Sequence, residues 1–199
     1  MPSILGLTGN IASGKSTVGM LLLELGATAY IDADLVVHEL YLPGKPLAAE
    51  IAAAFGQGVI GPDGGVDRKA LGEIVFGDQA RLRQLEAIVL PNVRDALLAR
   101  LRALPADGIG VFDASKLVES GYAPLCDGVW LVTCSEQAQI RRLMTSRGLS
   151  ETEARQRIAA QGDIEPKRGA ATEVIANDGT LDDLRRQVAA AWERFRAAL

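Results

Sequence analysis

The run Gly9-Asn10-Ile11-Ala12-Ser13-Gly14-Lys15-Ser16 fills the spacing G-x-x-x-x-G-K-[ST], and each residue type in it has a use against phosphate. Glycines let the backbone curl until consecutive N–H groups face an anion. A helix opening near Lys15 adds its positive dipole end at the same place. The Lys15 ammonium suits the β- and γ-phosphates of a nucleotide, and the Ser16 hydroxyl is a ligand for Mg²⁺. The expected nucleotide-phosphate site is therefore Asn10, Ile11, Ala12, Ser13, Gly14, Lys15, Ser16 and Thr17, with a nucleotide's phosphates and Mg²⁺ as its occupants. Asn10 is expected to tolerate a left-handed backbone, and Ala12 is small enough not to obstruct the curl.

A phosphate donor needs an acceptor and a base. Asp32 and Asp34 stand two apart in "ATAYIDAD", which reads as a second strand lying beside the first, so both carboxylates are expected on one face. A carboxylate near the terminal phosphate can take the proton of an acceptor hydroxyl or hold metal-bound water. Asp34 is the candidate for that role, and Asp32 is a support. An aspartate ahead of "LVVHEL" also suits a helix N-cap. Asp113, closing "GVFDA", reads either as a second acidic group near the metal and the acceptor or as a turn aspartate at a strand end. In "QIRRLMTSRGLS", Arg141, Arg142 and Arg147 either cover a solvated helix face or supply positive charge from a lid; Arg142 is the first choice and Arg147 the second.

These groups need a scaffold that holds loop ends together. "SILGL", "ATAYIDAD", "GIGVFDA", "DGVWLVTC" and "TEVIAN" read as five short strands, alternating with helical patterns. Such alternation implies a parallel sheet flanked by helices, with ligand-binding loops gathered on one edge. A helix after the glycine loop carries Val18, Leu21, Leu22 and Leu25 and stops at Gly26. The last helix starts at Thr180 with Asp183 three positions on, and presents Leu184, Val188, Trp192 and Phe195. The stretch 35–107 reads as mostly helical with breaks at "LPGKP", "GPDGG" and "LPN", too long for one crossover, and so as an inserted subdomain. The expected organisation is one domain: a core of about 1–34, 108–134 and 172–199, the insertion, and a lid of about 135–165.

Composition narrows the class. With 199 residues, 48% hydrophobic and 23% charged, the chain reads as a globular protein with a sizeable core. A net charge of -4 gives no general attraction to nucleic acid or anionic membrane. Two cysteines and one histidine, His38, make neither a disulfide framework nor a zinc site. "MPSILGLTG" lacks a basic leader, and no apolar run approaches a membrane span, so a cytoplasmic setting with reduced thiols is expected.

Several ordered blocks together resemble the dephospho-coenzyme A kinase family, from Ile4 to about Trp192. "LTGNIASGKSTV" is similar to its phosphate loop, and "YIDADLVVHELYLPGKP" to its acceptor segment, where the position of Asp34 carries the proposed base. "VDRKALGEIVFGD" places Arg68 in the family's D-R-x-x-L pattern. "QIRRLMTSRGLSETEARQRIAAQ" resembles its lid, with Arg142 and Gln161, and "VIANDG" its adenine loop, with Asn177 and Gly179. The resemblance implies a P-loop kinase fold and ATP-dependent phosphorylation of the 3′-hydroxyl of dephospho-coenzyme A. It also implies acceptor contacts at Asp32, Asp34, Arg68 and Asp113 and nucleotide contacts at Arg142, Asn177 and Gly179. The chain departs from the pattern at Leu90, at "DASKLVE", at Thr172 and in the placement of Arg147, all outside the phosphate loop. Another nucleoside or nucleotide kinase shares the loop and the fold, and is the alternative reading. A non-catalytic nucleotide-binding protein is a further alternative, and a guanine-nucleotide switch lacks its N-K-x-D motif here.

Overall fold

Central strands rich in Val, Leu and Ile, which must be buried on both faces, explain the architecture of the computed structural model, which describes residues 1–199. The strands are β1 (Ser3–Thr8), β2 (Ala29–Asp32), β3 (Ile109–Asp113), β4 (Gly128–Thr133) and β5 (Glu173–Ala176). They form one five-stranded parallel sheet in the order β2-β3-β1-β4-β5. Leu7 lies opposite Asp113 on one side and Trp130 on the other, which puts β1 in the middle of the sheet. The second strand was expected beside the first; instead β3 separates them. The connection leaving β1 therefore runs toward one side of the sheet and the one leaving β3 toward the other. Neighbouring parallel strands whose connections leave in opposite directions form a ligand crevice at their carboxyl ends, which here is the place between the loops after β1 and β3.

The chain divides into two units, Met1–Ile31 with Leu104–Leu199, and Asp32–Ala103. In the first, α1 (Lys15–Glu24) and α9 (Leu181–Ala197) close the sheet. Leu5, Leu7, Val111, Trp130, Val132 and Ile175 from the strands meet Val18, Leu22, Leu184, Val188, Trp192 and Phe195 from these helices in one cluster. Each such side chain contributes about 1.5–3 kcal/mol on removal from water, and the Trp192 indole N–H is satisfied by the Leu25 carbonyl at 3.0 Å. Helices α6 (Glu136–Arg147), α7 (Glu151–Ala159) and α8 (Glu165–Ala170) link β4 to β5. The α9 start is a full capping box: Thr180 Oγ1 accepts the Asp183 N–H at 3.2 Å, and Asp183 accepts the Thr180 N–H at 3.0 Å. Thr180→Ala is expected to remove about 1 kcal/mol of stability, lowering the thermal midpoint by about 2–4 °C in a calorimetric scan.

The second unit is helical: α2 (Ala33–Leu40), α3 (Pro46–Phe55), α4 (Arg68–Val75) and α5 (Gln79–Arg102). The first three all pack on α5. Val89, Val93, Leu97 and Leu101 recur every fourth residue along α5 and are buried. "LPN" is no break, because Pro91 lies inside α5. A helix of this length survives the loss of one backbone donor, and the Asn92 side chain donates to the Ile88 carbonyl at 3.0 Å in the adjoining turn.

Candidate active site

The turn after β1 is fixed by its own backbone conformation and by side chains from distant parts of the chain. Gly14 is left-handed (φ 98°) and caps α1 with no side-chain hydrogen bond. A Cβ at Gly14 would collide with the Asn177 amide, and one at Gly9 with the Val132 carbonyl, so both glycines are required by close approach. The left-handed non-glycine residue is Ala12 (φ 55°), not Asn10. Asn10 acts through its carbonyl, which accepts the Ser13 N–H at 3.2 Å and closes the turn.

The outer rim of this loop is fastened by side chains from α6 and from the end of β5. Gln139 Nε2 donates to the Ile11 carbonyl at 2.8 Å. Arg142 Nη1 donates to the carbonyls of Ala12 and Ser13 at 3.0 and 3.1 Å, and its Nη2 to that of Asn177 at 2.7 Å. Asn177 Nδ2, itself buried, donates to the Ser13 carbonyl at 2.8 Å. In a planar trans peptide the carbonyl of one residue and the N–H of the next point in opposite directions. Carbonyls turned outward at Ile11 and Ser13 therefore turn the N–H groups of Ala12 and Gly14 inward. The N–H groups of Lys15 and Ser16, in the first turn of α1, have no intrahelical acceptor. Together these four amides make a concave anion site at a helix N-terminus.

Two side chains extend the cradle. Lys15 Nζ lies over the loop, donating to the Gly9 carbonyl at 3.3 Å. Ser13 Oγ is buried without a hydrogen-bond partner, an arrangement a phosphate oxygen would relieve. The hydroxyls of Ser16 and Thr17 belong to exposed residues at the start of α1. One expected contact is different: the Ile11 N–H is taken by Gln161 Oε1 at 2.7 Å, so Ile11 supports the rim rather than the cradle.

Asp113 closes β3 at the crevice, is 5% exposed, and accepts the Tyr30 hydroxyl at 2.5 Å. Asp32 and Asp34 do not share a strand face. Asp32 ends β2 and is the N-cap of α2, its carboxylate accepting the N–H groups of Asp34 at 2.8 Å and Leu35 at 3.4 Å. Asp34 stands one residue into the helix with an exposed side chain. The strand ends sooner than its apolar pattern suggests because the cap satisfies orphan amides there. Arg68 opens α4, exposed, behind the N-cap Asp67. Its charge partly offsets the effect of burial on Tyr41, whose hydroxyl pKa is raised.

The arginines separate. Arg142 is committed to three carbonyls, so it braces the loop instead of standing free over a phosphoryl group. Arg141 and Arg147 are exposed, Arg147 in the last turn of α6 before the left-handed Gly148. Gly179 sits immediately before the Thr180 cap, where a Cβ would press on the Asp183 carboxylate at 2.9 Å. Burial raises the Cys134 thiol pKa more than the Arg142 guanidinium lowers it, so this sulfur beside the Ala12 carbonyl is no ready nucleophile. Thr172, a departure from the family pattern, both accepts the Val129 N–H at 3.1 Å and donates to its carbonyl at 3.0 Å, a pairing open to a hydroxyl and closed to a carboxylate.

Gln139 and Tyr30 were not anticipated. The signal for Gln139 is its spacing three before Arg142, on a face also carrying buried Ile140 and Leu143.

The chain is similar to known proteins over nearly its whole length. The family model described as Dephospho-CoA kinase matches residues 3–183. A Dephospho-CoA kinase of Geobacter sulfurreducens is 44% identical, covering 96% of this chain and 98% of its own length. Another, of Symbiobacterium thermophilum, is 49% identical over 95% of this chain and 80% of its own. Among solved structures, that of TT1252 from Thermus thermophilus superposes with a TM-score of 0.83 at 37% identity, covering 97% of both chains.

Proposed function

Because the chain belongs to the dephospho-CoA kinase family, we propose that it transfers the γ-phosphoryl group of ATP to the 3′-hydroxyl of dephospho-coenzyme A, giving coenzyme A and ADP. The observation that carries this reading is the inward-facing amide set of Ala12, Gly14, Lys15 and Ser16, with its rim fastened from outside. The amides meet phosphate oxygens, and the Ser13 hydroxyl gains the partner it lacks. Lys15 exchanges the Gly9 carbonyl for the β- and γ-oxygens, a stronger charge-assisted contact.

The exposed Ser16 hydroxyl and the Asp113 carboxylate are hard oxygen donors of the kind Mg²⁺ takes, and we assign the metal to this place, Ser16 as its direct ligand. Bound there, the metal supplies charge neutralisation on the phosphates. Tyr30 holds the Asp113 carboxylate in one orientation.

Transfer is proposed to be direct and in line, without a covalent enzyme intermediate. Asp34 orients the acceptor hydroxyl and accepts its proton as the new O–P bond forms and the bond to the ADP oxygen breaks. Asp32 supports it by fixing the backbone at Asp34. Arg68 is assigned to the anionic groups of the acceptor, Asn177 and Gly179 to the adenine of ATP, and Arg142 to the stiffness of the cradle. The lid, α6 and α7, excludes water that would otherwise take the phosphoryl group, and we place the reaction in the cytoplasm. Assayed with ATP and Mg²⁺, dephospho-coenzyme A is expected to be phosphorylated at least about a hundred-fold more efficiently than AMP, CMP or uridine. Equal or better turnover of one of those three would overturn the substrate assignment.

A further inference from the structure

Lys167 lies in α8, a six-residue helix that none of the assignments above uses, and it is 6% exposed. Lysine is almost never this buried unless paired. Its ammonium has two partners, and neither belongs to its own helix. One is Asn10 Oδ1 at 3.2 Å, in the phosphate loop; the other is Glu119 Oε1 at 3.3 Å, in the segment after β3 that begins beyond Asp113. A single side chain thus ties together the two loops that border the crevice and the segment that follows the lid.

The pairing is a poor way to gain stability alone. Burying an ammonium costs roughly what its partners return, and an apolar side chain of similar volume often does as well. What a paired, buried cation adds is fixed position. Asn10 is the residue whose carbonyl closes the turn on the Ser13 N–H, so a fixed Asn10 side chain fixes that turn. The same stretch holds the next loop residue too, since Gln161 accepts the Ile11 N–H. Two consecutive loop residues are therefore gripped by residues six apart, just upstream of the peptides that present the Ala12 and Gly14 amides.

We propose that Lys167 is a positioning residue for the phosphate loop, acting through Asn10 to hold the turn that receives the triphosphate and through Glu119 to join it to the segment after β3. The proposal rests on reading that loop as the ATP site, but does not depend on which hydroxyl is phosphorylated.

The test is a double-mutant cycle with K167M, N10A and the combined variant, read by calorimetric titration of a magnesium-loaded non-hydrolysable ATP analogue. Each single change is expected to weaken the analogue about ten-fold, the size of one lost charge-assisted hydrogen bond. The double variant should be weakened by little more than either single one, because both remove the same contact. In steady-state assays the KM for ATP should rise while that for dephospho-coenzyme A stays within about two-fold. Unchanged analogue affinity in N10A, multiplicative losses in the double variant, or an equal rise in both KM values would overturn the proposal. Should K167M fail to fold, N10A decides: it keeps the lysine and its Glu119 partner, and wild-type affinity there refutes the positioning role. Failure of wild-type protein to bind the analogue at all would instead strike at the ATP site itself.

Discussion

Lys15→Met is expected to fold normally and lose about three orders of magnitude in kcat/KM, about 4 kcal/mol of transition-state stabilisation. The structure explains both halves of that expectation. The ammonium donates to the carbonyl of the buried Gly9, so its loss should cost about 1 kcal/mol, the size of one hydrogen bond, and lower the thermal midpoint by only about 2–4 °C. Neither nearby cation is free to take over: Arg142 is occupied by the carbonyls of Ala12, Ser13 and Asn177, and Lys167 by Asn10 and Glu119. Steady-state kinetics with a parallel unfolding scan checks the result, and a variant within ten-fold of wild type removes Lys15 from the mechanism.

Asp34→Asn separates chemistry from binding. The carboxylate is exposed, and the backbone at that position is held by Asp32, so the helix start should survive the change. An amide cannot take the proton of the acceptor hydroxyl. Turnover should therefore fall by about 10²–10⁴-fold, while ATP affinity measured by titration stays within about two-fold. Near wild-type turnover would rule out Asp34 as the base.

The parts legible in the sequence were those set by local spacing. The glycine loop needs eight consecutive residues, and the α9 capping box needs Thr180 and Asp183 three apart, so neither waits on tertiary structure. The three central strands announced themselves as apolar runs because parallel strands inside a sheet are buried on both faces, whereas β5, at an edge, leaves Val174 exposed. What the sequence hid was set by partners far along the chain. The neighbour of β1 depends on where the crossover after β2 returns, which no residue near β2 records. Asp32 and Asp34 look alike as letters, and only the cap hydrogen bonds divide their work. Arg142 reads as a surface charge or a lid finger until three carbonyls from two other segments are seen around it. Lys167 gave no sign at all, its partners being a loop residue 157 positions earlier and a glutamate 48 positions earlier.

Product analysis tests the central claim most directly. Wild-type protein is incubated with ATP, Mg²⁺ and dephospho-coenzyme A, and the products are followed by mass spectrometry and phosphorus NMR. The account predicts one ADP and one coenzyme A for each ATP consumed, with the new phosphomonoester on the 3′-oxygen of the ribose. ADP accompanied only by free phosphate, a phosphoryl group on any other oxygen, or no ATP consumption would contradict it.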